Sequence, residues 1–398
     1  MTKKLVAVVD VGSSDIVTYA VEKTQDNFSI KSVASAGYPG FRNGVLTDER
    51  ALGVAVSECI TRLRIDTGAI FRRVCVGVPA EFACVRTKEI RTDFGKEQKI
   101  DERLISQLLN AEDEFTGIGG FETLNSSVIT ASVDDEKLVT NPIGLTAQTL
   151  TVTASYCLVE QQFRRTLTGI LKGQGIPQID FIATPYAEAM ALFSAQERER
   201  TVLFADIGYR SSNMALVRGG GLLGLASFSL GKEHMINAVL LGLQHAYKRE
   251  LLETEHVEFM LRQLNLNVRP AQDKLVVASQ EVMIYENEAA DVVSAGIEDI
   301  AHMLKRCIEG FRPYRVGSYM PLYITGVGIL SIRGAKSVLE RSMGRKVEGL
   351  APMVPNFDSP ADSAGIGLIE EAMRTERAKR GLLSYLFCTK PPSRRGQC

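Results

Sequence analysis

The chain has 398 residues, 45% of them hydrophobic and 23% charged, with 46 basic against 47 acidic side chains. That length implies roughly two to four lobes, and the apolar content is enough for a large core, which excludes a disordered chain. The charge balance argues against a bulk nucleic-acid binder, so no nucleic-acid partner is expected. No apolar run approaches the ~18–20 residues that cross a bilayer. LVAVV (Leu5 to Val9) is too short for the core of a signal peptide and reads as a buried strand. Seven cysteines without a C-x-x-C pair, and four histidines without metal spacing, read as reduced thiols and ordinary side chains.

In chain order, Val6 to Glu22 (VAVVDVGSSDIVTYAVE) reads as a strand, a tight polar turn and a second strand. A periodic helix over Ala51 to Arg64 and a strand over Val74 to Ala80 follow. The texture then changes from Val85 to Tyr156. There the sequence predicts a charged helix (Asp101 to Glu114), a glycine turn (Gly117 to Gly120) and a polar strand (Thr149 to Val159), together a small inserted α+β subdomain. A helix (Glu160 to Lys172), the strand IDFIATP and a helix (Thr184 to Phe193) return to the first lobe. Val202 to Gly220 (VLFADIGYRSSNMALVRGG) repeats the opening hairpin, its Asp206 lying 196 positions after Asp10. The repeat predicts a duplicated α/β architecture of two similar lobes. Gly231 to Val293 reads as mostly helical, before a helix from Ala295 to Phe311, a strand ending at Thr325 and a turn with Gly326 and Gly328.

Two facing Asp-x-Gly hairpins point to phosphate chemistry. Gly12 and Gly208 let the backbone approach a ligand with its N–H groups turned toward phosphate oxygens. Ser13, Ser14, Ser211 and Ser212 add hydroxyl donors. Asp10 and Asp206 are placed to hold the waters of Mg²⁺, which prefers oxygen and keeps its hydration. Gly326 and Gly328 would let an adenosine lie flat against backbone. One such hairpin is an ordinary turn, and the last glycine turn alone is an ordinary strand-to-helix junction. Two copies and a third turn together favour a nucleotide site.

The end of the chain carries a different signal. From Arg374 to Cys398 seven basic residues stand against one acidic, a side-chain sum of +6. Within AKRGLLSYLF, Leu382, Leu383, Leu386 and Phe387 fall in an arc of about 140° on a helix, flanked by Lys379 and Arg380. Such a helix lies in a membrane interface. Each large apolar side chain contributes up to ~1.5–3 kcal/mol when buried, and each nearby cation about 1 kcal/mol on an anionic leaflet. Gly381 weakens the helix by about 1 kcal/mol, so one tail is a weak anchor and many tails on one polymer a strong one. A packed or disordered terminus is the plain alternative.

Taken together, the two phosphate hairpins, the connecting helices and the late glycine turn resemble the actin/Hsp70/sugar-kinase superfamily, whose core is ribonuclease-H-like. Within it, the chain resembles the FtsA family of bacterial cell-division actin homologues, from Lys4 to about Phe387. The resemblance rests on length, on the insertion after VGVPA with its NPIGL (Asn141 to Leu145), and on the basic apolar tail. It implies a first lobe (1A) at 1–82 and 160–203, an inserted 1C/SHS2-like subdomain at 83–159 and a second lobe (2A) at 204–230 and 294–373. Subdomain 2B would occupy 231–293 and the membrane tail 374–398. It implies ATP with Mg²⁺ as structural ligand, with Glu258 and Arg262 approximating an adenosine contact; Arg210, which is a departure from the family, is long and charged enough to reach a phosphate itself. It also implies self-assembly, an FtsZ-like polymer as partner docking near 231–293, other division proteins, and a peripheral place on the cytoplasmic face of the membrane at the division site.

The chain departs from the family at DIGYRSSN (Asp206 to Asn213), where Tyr209 and Arg210 replace two glycines and Asn213 an aspartate. Asp15, Val327 and Thr184 depart too, the last standing where several superfamily members place a glutamate. These changes predict weakened ATP binding and at most a weak ATPase. A PilM-like pilus-assembly adaptor, and a small-molecule kinase of the same superfamily, are the alternatives; the kinase would need a catalytic aspartate that no motif supplies.

Overall fold

The computed structural model describes residues 5–24, 27–243, 252–268, 274–277 and 283–374. The tail residues Lys379, Arg380, Leu382, Leu383, Leu386 and Phe387 lie outside them.

The first hairpin forms as expected. β1 (Leu5–Val11) pairs antiparallel with β2 (Asp15–Lys23), which pairs with β3 (Phe28–Gly37). A short ribbon, β4 (Phe41–Arg42) and β5 (Val45–Leu46), leads to α1 (Glu49–Thr67). Asp48 caps this helix by accepting from the N–H groups of Arg50 and Ala51, and Gly68 ends it with φ 64°. Leu52, Val56, Cys59, Ile60 and Leu63, at helical spacing, bury one face of α1 against the sheet. β6 (Arg73–Val78) is fully buried and runs parallel to β1.

The inserted segment is a four-stranded antiparallel sheet in the order β7-β10-β8-β9, comprising β7 (Ala83–Lys99), β8 (Phe121–Val133), β9 (Lys137–Val139) and β10 (Thr146–Glu160). Helix α2 (Glu102–Ala111), capped by Asp101, lays Ile105 and Leu109 on it. It stops three residues before the expected Glu114, because the chain turns there on Asp113, whose carboxylate accepts from the Phe115 N–H. The sheet is tied to the second lobe by Ser155 Oγ donating to the Leu222 carbonyl at 2.7 Å and the Gly220 N–H donating to the Val128 carbonyl at 2.9 Å. α3 (Gln161–Gly173), β11 (Gln178–Ala183) and α4 (Thr184–Leu192) complete the first lobe, whose sheet order is β11-β6-β1-β2-β3.

The second lobe repeats this plan. β12 (Val202–Ile207) pairs antiparallel with β13 (Ser212–Arg218) and parallel with β17 (Leu322–Thr325). β14 (Gly221–Phe228) and β18 (Val347–Gly349) take the edges, so the order is β14-β13-β12-β17-β18. Strand for strand this is the first sheet again, with a hairpin followed by parallel neighbours on its far side. Between them lie α5 (Lys232–Gly242), α6 (Thr254–Gln263), the small ribbon β15 (Leu275–Val277) and β16 (Met283–Tyr285), α7 (Glu286–Gly310) and α8 (Ala335–Met343). The final described helix, α9 (363–374), closes over the first sheet through Ile366, Leu368, Ile369 and Met373.

Two readings of the sequence change here. The segment 231–293 is not simply helical, since it contains the β15–β16 ribbon. The helix expected from Ala295 begins at Glu286 and runs unbroken to Gly310, so a boundary drawn at 293 falls inside it. The acidic first turn hid this start: Glu286 is itself buried and takes an ion pair from Lys274 at 2.9 Å. No disulfide joins the five described cysteines.

Candidate functional site: a carboxylate-lined cleft between two matching hairpins

The two hairpin turns are built alike. The Gly12 N–H donates to the Asp15 carbonyl at 2.9 Å, and the Gly208 N–H to the Ser211 carbonyl at 3.1 Å. A Cβ at either glycine would lie 2.8 and 2.5 Å from those same carbonyl oxygens, so each turn closes only around glycine. Tyr38 braces the first turn, its hydroxyl donating to the Gly12 carbonyl at 2.8 Å. The third glycine turn locks onto the second hairpin: the Gly328 N–H donates to the Ile207 carbonyl at 2.7 Å and Gly326, at φ 95°, sits against the Asp206 carboxylate.

These pieces surround one cavity of about 140 Å³ at the junction of the lobes. Of the residues singled out from the sequence, Asp10, Gly12, Ser13, Asp206, Gly208, Ser211, Ser212 and Gly326 line it. So do Asp15, Glu81 and Glu188, giving five carboxylates, and among the described residues no lysine, arginine or histidine lines it. Crowding and burial show in the proton affinities. Burial first, then the neighbouring Asp15 and Asp206 charges, push Asp10 up to about 7. Burial raises Asp206 to about 6. Glu188, 1% exposed, is held well above the ordinary carboxylate range by burial and then by Asp206 and Asp10.

Glu188 is the residue that sequence reading missed. It lies one helical turn beyond Thr184, the position compared with a family glutamate, on the same α4. A lone charge within the apolar run PYAEAMALF was the available signal, since a buried carboxylate without a partner is rare outside functional sites.

Other expected contacts are not brought to the cavity. Arg210 turns away from it: its Nε donates to Glu233 Oε1 at 2.8 Å and its Nη1 to the Pro39 carbonyl. Glu258 is held at 3.1 Å by Lys232, and neither it nor Arg262, both on α6, reaches the cavity wall. Ser14 spends its hydroxyl on Asp15 and Gly328 packs on Ile207. Of the lining serines, Ser212 donates to the Leu230 carbonyl at 2.6 Å and Ser13 Oγ accepts the Arg210 N–H at 3.0 Å. Three of the four hydroxyls expected to face a phosphate, those of Ser13, Ser14 and Ser212, are therefore engaged with protein.

The cavity is smaller than the roughly 300–1,000 Å³ of pockets that enclose drug-sized ligands, so a nucleotide enters only if the lobes part. Its chemistry does suit a hard cation. Glu188 Oε2, Thr184 Oγ1 and Asn213 Oδ1 are buried oxygens without a hydrogen-bond partner, and all three residues line it. Among the described residues no group of three or more His, Cys, Asp or Glu is placed to hold a metal ion.

The sheet plan and cleft match known proteins. A chain of the PilM–PilN type IV pilus biogenesis complex superposes with TM-score 0.61 at 16% identity, covering 92% of this chain and 98% of that one. MreB5 of Spiroplasma citri bound to ADP gives 0.55 at 12% identity, covering 95% and 98%. In sequence, FtsA of Bacillus subtilis is 21% identical over 379 residues, 93% of this chain and 83% of that protein, and FtsA of Agrobacterium fabrum is 22% identical over 395 residues, 92% and 86%. The fold is actin-like, and the chain is similar to FtsA along nearly its whole length. No protein-family model matches it. MreB5 of Spiroplasma citri is also known bound to AMPPNP, at TM-score 0.55, which puts nucleotides in an actin-like neighbour of this FtsA-like chain.

Proposed function

We propose that this chain is an actin-like adaptor of bacterial cell division. The observation that carries the reading is similarity to FtsA over 93% of the chain, joined to a twin-hairpin cleft between matching sheets. In this reading the lobes at 1–82 with 160–203 and 204–230 with 294–373 bear the inserted subdomain 83–159 and the subdomain 231–293. The latter receives an FtsZ-like polymer, and copies of the chain associate with one another and with further division proteins. ATP with Mg²⁺ is a structural ligand of the cleft, with Asp10 and Asp206 holding the ion through its waters, and turnover is weak or absent. The tail 374–398 anchors the protein to the cytoplasmic face of the membrane. Among the described residues no helix is long and apolar enough to cross a membrane, so a peripheral anchor is the mode that this reading requires.

The likeness to the PilM chain supports a second reading, a pilus-assembly adaptor of the same fold. The tail separates the two. The full chain is expected to sediment with vesicles containing anionic lipid, less so as salt rises, and a chain ending at Arg374 to stay in the supernatant. Equal sedimentation of both chains would remove the membrane tether from the proposal; a full chain that never sediments favours the pilus reading.

A further inference from the structure

We propose that Arg210 is an internal clasp that closes the cleft in competition with nucleotide. The observation is a cross-lobe network centred on Arg210. From the turn of the second hairpin, Arg210 reaches three elements at once. Its N–H donates to Ser13 Oγ on the first hairpin, its Nη1 to the Pro39 carbonyl beyond β3, and its Nε to Glu233 on α5.

Glu233 makes this a bridge. Its Oε1 takes Arg210 of the second lobe, and its Oε2 takes Nη2 of Arg42 of the first lobe at 2.6 Å. A carboxylate shared between two guanidiniums is a strong, directional contact. The backbone is shaped to hold it. The N–H groups of Lys232 and Glu233 donate to the Gly208 and Tyr209 carbonyls at 3.1 and 2.8 Å, which fixes the turn against α5. Gly40, at φ 76°, allows the close approach, since a Cβ there would lie 1.9 Å from the Ser13 carbonyl oxygen and 2.9 Å from Arg210 Nη1. Beside it the Asn43 N–H donates to Ser229 Oγ at 3.0 Å, a further stitch between the lobes.

The Ser13 contact is made by the Arg210 backbone, so the clasp itself is the side chain, whose bonds to Pro39 and Glu233 hold the two turns together. A nucleotide that needs the turns apart competes with those bonds, so the clasped and nucleotide-filled cleft are alternatives. A closed state that excludes ligand lowers apparent affinity by the fraction of molecules left open. The inference rests on reading the cleft as a nucleotide site. The opposite role for the same residue, a guanidinium that holds the phosphate, predicts the opposite sign.

The test is titration of Mg²⁺-ATP into the full chain and its Arg210→Ala and Glu233→Gln variants by calorimetry. Both variants are expected to bind roughly tenfold or more tightly than the wild type. Without nucleotide, both should exchange amide hydrogens faster in 10–17 and 206–213. Glu233→Gln leaves the turn intact, so a folding defect of Arg210→Ala does not decide the matter. Unchanged or weaker binding in a folded variant, with the wild type binding, overturns the clasp and leaves the nucleotide reading standing. Absence of binding in wild type and variants overturns both.

Discussion

Replacing Gly326 with alanine is expected to cost about 3 kcal/mol or more, and to leave the second lobe poorly folded. Gly326 has φ 95°, a backbone conformation that a side chain rarely adopts. A Cβ there would lie 2.0 Å from Asp206 Oδ1 and 2.5 Å from the Ile207 carbonyl oxygen, so the carboxylate and the strand end would both have to move. The turn has little slack to allow it. Its own N–H donates to the Pro360 carbonyl at 3.2 Å, and Thr325 just before it shares a 2.6 Å hydrogen bond with Ser363 at the start of α9. The contrasting variant is Gly169→Ala on α3, where nothing lies within 4 Å of the added carbon. That change should stabilise by roughly 0.5–1 kcal/mol through helix propensity alone. Urea unfolding of the two variants beside the wild type checks both; equal midpoints for Gly326→Ala and wild type would contradict the described turn.

Asp10→Asn is expected to stabilise the protein in the absence of nucleotide, by an amount that grows as pH rises from about 4 to 7 and is full above that. The native carboxyl is raised from 3.8 to about 7. Between those values the folded protein keeps a proton that the unfolded chain has released. Stability therefore falls as pH climbs through the interval, and stays low above it. The full interval corresponds to at most about 4 kcal/mol. Asparagine removes that loss, so wild type and variant should differ little at pH 4 and most at pH 8. A gain of even 1–2 kcal/mol would raise the melting temperature by several degrees. Thermal melts of both proteins from pH 4 to 8 test the sign. A variant less stable than the wild type at pH 8 would mean that the Asp10 carboxylate is held charged in the fold. The same substitution should weaken any Mg²⁺-dependent stabilisation, which is how function and stability come to oppose each other in this cleft.

The parts of the fold that were legible from sequence are those set by local chemistry. Asp10 and Asp206 could be matched because each hairpin joins a buried strand to a turn that tolerates only glycine, and the constraint leaves the same letters in both places. α1 was legible from its stripe of apolar residues, although its limits moved outward to the Asp48 cap and to Gly68. The remainder depends on contacts between distant positions. Nothing near Arg210 in the chain announces that Glu233, Pro39 and Ser13 will take its hydrogen bonds, so the sequence alone suggests a phosphate contact. Glu188 stayed hidden because its significance lies in burial beside Asp10 and Asp206, which no spacing on α4 reveals. The start of α7 was missed because Glu286 reads as solvent-facing until Lys274 is placed against it.

The most direct test of the account joins its three components: the full chain, FtsZ polymers from the same cell, and vesicles containing anionic lipid. The account predicts that FtsZ polymers sediment with the vesicles only when the full chain is present, and not with a chain ending at Arg374. Polymers left in solution by a chain that is itself bound to the vesicles would contradict it.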